Sequence, residues 1–258
     1  MPYVSLKDLK LYYEELGRGE TVLFLHSHFS RGILAFGAQI QPFHGKYRCI
    51  FPDFRGHGRS ISEDLSWDSR RIADDMVDFI DALKIDQVHL VGYSMGTYVG
   101  MYMVSKYPGR IRSFTAIGAG VAPVPEGSED YLPEKIIERN DTELIENMRM
   151  RHWDAHKGNW QEFMRQTVAD WRTHPNMTED EWKAIKCPVL FINGEFDPFG
   201  ACKELKEKCP HAVTHEVAGG GHRPHFVMEQ GKEINALILD FLAGKGYLTD
   251  NGKCHLVR

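Results

Sequence analysis

The sequence has few of the features that mark membrane, metal-cluster or polyanion-binding proteins. No apolar run approaches the length of a membrane-spanning helix, and residues 1–8 contain no leader-like apolar core. Only five cysteines occur in 258 residues, at Cys49, Cys187, Cys202, Cys209 and Cys254. A sparse, odd set without metal-ligand spacing argues against a disulfide framework and against a zinc cluster. Cys202 and Cys209, on one face of an expected helix, read as packed free thiols. Charge of one sign is also scarce: 31 Lys and Arg stand against 36 Asp and Glu, a formal net charge of -5. That balance gives no reason to expect nucleic acid or an anionic membrane as partner. The expectation is a soluble, cytoplasmic protein of a reducing compartment that acts on a small molecule, with its oligomeric state open. Repeats and low-complexity tracts are missing as well.

What is present is a globular composition, 42% hydrophobic and 26% charged, in a chain long enough to bury a sizeable core. Residues 3–16 read as an antiparallel hairpin turning at Lys7-Asp8. Short apolar runs bounded by Gly and Pro follow at 21–25, 47–51, 88–91, 111–117, 188–192 and 212–217, as expected of strands buried on both faces of a parallel sheet. Between them, Ile72, Met76, Phe79, Ile80 and Leu83 fall at helical spacing, and Ile234, Leu237, Ile238, Phe241 and Leu242 repeat the pattern. Alternation of this kind predicts an α/β fold, a mostly parallel central sheet with helices on both faces. One stretch breaks it. Residues 122–186 show no convincing strand, carry capping-box patterns at Asn159/Glu162 and Thr178/Glu181, and hold Trp153, Trp160, Trp171 and Trp182. They are read as a helical cap, or lid, inserted into a core domain of residues 1–121 and 187–258. The aromatics there are expected chiefly to pack. The polar tail, 244–258, reads as a loosely held extension.

The most informative segment is Gly92-Tyr93-Ser94-Met95-Gly96. It follows a strand-like run and precedes a helix-like one at 97–106, the context that makes G-x-S-x-G a nucleophile elbow. A side chain at Gly92 or Gly96 would collide where strand and helix cross. A serine hydroxyl is a weak nucleophile and needs a base, itself oriented by an acid. The order expected is serine, acid, histidine. Asp197, in Gly194-Glu195-Phe196-Asp197-Pro198, and His222, after Gly219-Gly220-Gly221, supply it from loops at the carboxyl ends of strands. Glu195 and His225 are the competitors; the turn with Pro198 favours Asp197, and the glycine run favours His222. Two donors are needed for a developing oxyanion. The backbone N–H of Met95 is one, and that of His28, in the loop after the strand 21–25, is assigned as the other. His152 and His156, four apart, could share a helix face as metal ligands, yet no third ligand is evident. The glycine run lacks the spacing of a phosphate-binding loop and reads as backbone freedom for His222.

On these motifs the chain resembles the α/β-hydrolase superfamily, in its esterase, lactonase and C–C hydrolase group. The matching segments run from residue 21 to about 241 and include Leu25-His26, Asp53-Phe54-Arg55-Gly56-His57-Gly58-Arg59-Ser60, the pentapeptide at 92–96, residues 194–198 and Gly221-His222. The resemblance implies Ser94 as nucleophile, Asp197 as acid and His222 as base, with no cofactor and no metal, and an architectural role for the 53–60 loop. The implied activity is cleavage of a small or medium carboxylic ester or lactone, with C–C bond hydrolysis of a diketone-like substrate as the alternative. Ser94 argues against haloalkane dehalogenation, for which an aspartate is expected at the elbow. In one respect the chain departs from the group: His26-Ser27-His28 stands where His-Gly is usual. The loop loses a glycine and gains an imidazole, which either faces substrate or turns away. This departure is the only support for a third reading, a small-molecule binding or signalling protein on the same fold.

Overall fold

The computed structural model describes residues 2–245, 247–250 and 253–256. The chain opens as the expected hairpin, β1 (Tyr3–Ser5) antiparallel to β2 (Leu9–Leu16). There follow β3 (Thr21–Leu25), β4 (Arg48–Pro52), the two-residue β5 (Ile61–Ser62), β6 (Val88–Tyr93), β7 (Ile111–Ile117), β8 (Val189–Gly194) and β9 (Val213–Val217). They form one sheet in the order β1-β2-β4-β3-β6-β7-β8-β9, with β5 beside β2. All neighbours from β4 to β9 are parallel, and the pairings of β2 are antiparallel. In the tail, where a loose extension was expected, β10 (Tyr247–Asp250) pairs with β11 (Lys253–Leu256); the rest of that extension beyond 245 lies outside the described residues.

The helices are α1 (Gly37–His44), α2 (Ser69–Ala82) and α3 (Met95–Lys106), then α4 (Pro133–Glu138), α5 (Thr142–Arg151), α6 (Trp153–His156), α7 (Trp160–Thr173) and α8 (Glu179–Ala184) between β7 and β8, and finally α9 (Cys202–Lys208) and α10 (Met228–Leu242). Alternate residues of each central strand serve opposite cores. Leu23 and Leu25 join Met76, Phe79 and Val99 under α2 and α3. Val22 and Phe24 join Phe43, Ile234 and Ile238 under α1 and α10. Phe24 stacks on Phe51 with centroids 4.6 Å apart, and burial of a side chain this size contributes roughly 1.5–3 kcal/mol. α2 begins where Asp68 accepts the N–H of Arg71 at 2.8 Å. Of its expected apolar face, Ile72, Met76, Phe79 and Ile80 are buried, and Leu83, just past the helix end, is half-buried.

No strand interrupts residues 122–186 among those described. The capping box opening α8 is complete, with Thr178 and Glu181 reciprocating. At α7 only half forms: Asn159 accepts the N–H of Glu162, while the Glu162 carboxylate takes the amide of Gln166. The loop at 53–60 is built from buried and half-buried ion pairs. Arg55 grips Asp75 at 2.8 Å through two nitrogens and also reaches Asp8, and Arg59 binds Asp53 at 2.9 Å. It ties the edge hairpin to α2, in keeping with an architectural role.

Candidate active site

The end of β6 turns directly into α3 at Ser94, whose backbone sits at φ 53, ψ -120. A non-glycine residue with this φ is strained, and such strain persists only where its surroundings enforce it. The two flanking glycines show what enforces it. A Cβ at Gly92 would lie 2.4 Å from the carbonyl oxygen of Gly96, and one at Gly96 would lie 1.9 Å from that of Leu25. Both glycines supply space rather than unusual torsions. The approach at Gly96 also brings the loop after β3 alongside the start of α3. Met95 is the first residue of that helix, so its N–H has no acceptor within the helix.

Three sequence-selected side chains meet at this edge. Ser94 Oγ lies 3.0 Å from His222 Nε2, and His222 Nδ1 lies 3.0 and 3.1 Å from the two carboxylate oxygens of Asp197. With Nδ1–H donating to the carboxylate, Nε2 is left to accept the Ser94 hydroxyl. The side chain of Asp197 is fully buried and that of His222 is partly so. The competitors have other places. Glu195 accepts the N–H of Gly219 at 2.8 Å, bracing the histidine loop. His225 is buried against Tyr93, with centroids 4.4 Å apart, and Phe36, and burial pushes it down to about 3. Of the three glycines before His222, only Gly219 has a positive φ (66°), so the run gives less freedom than its composition suggests. A glycine not singled out by motif matters more. Gly118, after β7 at φ 67°, would place a Cβ 2.9 Å from the His222 ring.

His28 settles inward. Its Nε2–H donates to Asp170 of α7 at 2.9 Å, and the same carboxylate accepts the backbone N–H and the hydroxyl of Ser69 at 2.7 and 2.8 Å. Burial alone would raise Asp170; the hydrogen bond from His28, with the charges of His28 and His174 and the bond from Ser69, holds it below its usual value. One carboxylate thus joins the loop after β3, the start of α2 and the helical stretch. Asp170→Ala would leave three buried donors without an acceptor. It is expected to destabilise the protein by about 3–5 kcal/mol, read as a lower urea midpoint. Beside this network, His26 accepts the N–H of Phe54 at 3.0 Å and donates to Ser27 O at 2.9 Å, so burial holds it neutral with a fixed tautomer. His152 accepts the N–H of Gly58 at 2.9 Å, and its ring stacks on Phe163. His156 packs against the same phenyl ring. Among the described residues no third His, Cys, Asp or Glu joins these two in a ligand cluster. Cys49, Cys202 and Cys209 are buried free thiols.

A cavity of about 250 Å³ opens over Ser94. Its walls include Phe29, Tyr98, Tyr131, Trp171 and Phe199, with His28, His222 and Arg223. Sequence patterns did not single out Tyr98, Tyr131 or Phe199, and Trp171 stood out only as one of four tryptophans in the stretch. A nucleophile-base-acid chain under a small, mostly apolar pocket can perform acyl transfer. No helix among the described residues is long and apolar enough to cross a membrane.

The comparisons with known proteins agree with this architecture. The serine hydrolase BPHL of Mus musculus is 26% identical over 256 residues, spanning 93% of this chain and 85% of that protein. The 2-hydroxy-6-oxo-6-phenylhexa-2,4-dienoate hydrolase of Comamonas testosteroni is 26% identical across 92% of this chain and 93% of its own. Among solved structures, a thermophilic esterase from Thermogutta terrifontis superposes with a TM-score of 0.72 at 23% identity, covering 94% of this chain and 98% of that one. The model of the alpha/beta hydrolase family matches residues 22–237, and the chain belongs to that family.

Proposed function

We propose that the protein is a serine hydrolase that cleaves a small or medium carboxylic ester or lactone through an acyl-enzyme. The observation that carries this reading is the hydrogen-bonded chain from Ser94 Oγ through the His222 ring to Asp197. Ser94 attacks the carbonyl carbon as His222 Nε2 takes its proton. The tetrahedral oxyanion is held by the backbone N–H groups of Met95 and His28. Collapse expels the alkoxide, which leaves as an alcohol with the proton from His222. Water, deprotonated by the same imidazole, then adds to the ester at Ser94, and its breakdown returns the proton to Oγ and releases the acid. Asp197 keeps the imidazole in the required tautomer and offsets its transient charge. Residues 122–186 act as the cap: Tyr131, in the short turn Ser128–Tyr131 before α4, and Trp171 of α7 bring their rings to the cavity wall. A volume of about 250 Å³ falls just below the roughly 300–1,000 Å³ of drug-sized ligand sites, which favours short acyl and alcohol groups.

A fluorophosphonate probe reports the nucleophile directly. Intact protein should gain one phosphonyl adduct, and peptide mapping should place it on Ser94. Folded protein that takes no label would favour a binding or signalling role on the same fold. The name of the Comamonas testosteroni relative keeps C–C bond hydrolysis as the second reading. A panel of short esters, lactones and a diketone-like substrate separates the two.

A further inference from the structure

The protein is acidic overall, at -5, yet among the described residues no aspartate or glutamate lines the cavity over Ser94, while one arginine, the exposed Arg223, does. Arg151, half-buried at the end of α5, donates to the carbonyl of Phe29, another wall residue. Arg31 lies two residues beyond Phe29 and is also half-buried. Most other arginines of the described chain are paired with a carboxylate. None of these three is, within 4.0 Å, among the described residues. They are also close enough to oppose one another: Arg151 is held below its usual value first by burial, then by the charges of Arg31 and Arg223. Arg31 is partly offset by the carboxylate of Asp53, which feels its charge; Arg151 and Arg223 have no such partner within 4.0 Å among the described residues, and an anion arriving between two like charges relieves their repulsion. The planar fork of arginine fits a carboxylate through two hydrogen bonds.

We infer that the substrate carries a carboxylate, which docks against Arg223 and Arg151 beside the cavity while its ester or lactone carbonyl reaches Ser94. The inference rests on the hydrolase reading and narrows it, to half-esters of small dicarboxylic acids and lactones bearing an acid group. The reaction is unchanged; the arginines act on binding and orientation.

The test compares monoethyl succinate with ethyl pentanoate, similar in length and different in charge. At an ionic strength of about 10 mM, the ratio of their kcat/KM values should favour the half-ester by about tenfold or more, and it should shrink in about 0.5 M salt as the field is screened. In the double variant Arg151→Gln/Arg223→Gln the ratio should fall towards one; taking the ratio divides out effects common to both esters. Equal or reversed preference in the unaltered protein, or a ratio the double variant does not move, overturns the inference. Calorimetry on Ser94→Ala protein makes the test independent of turnover, since the half-ester should bind about tenfold more tightly than the neutral ester. Equal affinities there defeat the carboxylate site even if Ser94 proves to be the nucleophile. Selective binding with no turnover or fluorophosphonate labelling in the unaltered protein defeats the hydrolase reading instead.

Discussion

Ser94→Ala is expected to reduce ester turnover by about 10⁴–10⁶-fold, the range found when the nucleophile of a serine–histidine–aspartate system is removed. Without Oγ no acyl-enzyme forms. What remains is water activated by His222 under donors that still hold the oxyanion, which gives a small residual rate. The fold should survive. Ser94 is only partly buried, and the loss is one hydrogen bond of 3.0 Å to His222, worth about 1 kcal/mol. Alanine keeps the Cβ and therefore the same backbone strain at φ 53. Initial rates on a short chromogenic ester, beside a thermal melt, read both quantities. A folded variant retaining turnover within tenfold of the unaltered protein would show that another group is the nucleophile.

Acidification is expected to unfold the protein well before its carboxylates are fully protonated. His26, His57, His152 and His225 are each fully buried. Burial pushes His57 and His225 down to about 3 and holds His26 and His152 far below the usual value. In the unfolded chain these rings take up protons near pH 6.5. Below that pH the unfolded state binds more protons than the folded one, so the stability is fully present above about 6.5 and is lost as pH falls. The loss is about 1.4 kcal/mol per pH unit for each ring. At pH 5 the four together remove roughly 8 kcal/mol, within the 5–15 kcal/mol that holds a typical domain together. Asp53 and Asp75, raised by burial, act with the opposite sign and blunt the effect nearer pH 4. Circular dichroism should show a cooperative transition between about pH 6 and 4. His225→Leu should move its midpoint to lower pH, because it removes one of the four rings without touching Ser94, His222 or Asp197. Stability that is flat from pH 6.5 to 5 would contradict the assignment of these rings as neutral.

Much of the architecture was readable because its causes are local. Alternate residues of 21–25 face opposite cores, so a strand buried on both sides must be apolar throughout. The elbow was readable because two glycines and a serine must fall within five consecutive residues to make so tight a crossing. Asp197 and His222 were readable because each follows a strand in a parallel sheet, which delivers loops to one edge. Other features had no contiguous signature. Gly118 leaves room for the His222 ring across 104 positions of sequence. Asp170 reaches His28 across 142. His152, whose spacing from His156 carried no structural reading beyond a shared helix face, accepts the N–H of Gly58. No period or spacing encodes such meetings, because they depend on how one helix settles over the sheet edge.

The sequence by itself determined the order of strands and helices, the sharp turn at Ser94 and the identity of the residues able to form a nucleophile-base-acid chain. These follow from sterics and periodicity acting over a few neighbours. Tertiary structure alone decided that Ser94, His222 and Asp197 lie within hydrogen-bond reach, and that Asp170 draws the His28 imidazole towards α7. It also decided that Trp171 and Tyr131 wall the cavity, and that Arg223 borders it where no carboxylate among the described residues does. Those outcomes depend on side-chain directions and close packing between segments far apart in the chain, where a shift of a single ångström makes or breaks a hydrogen bond.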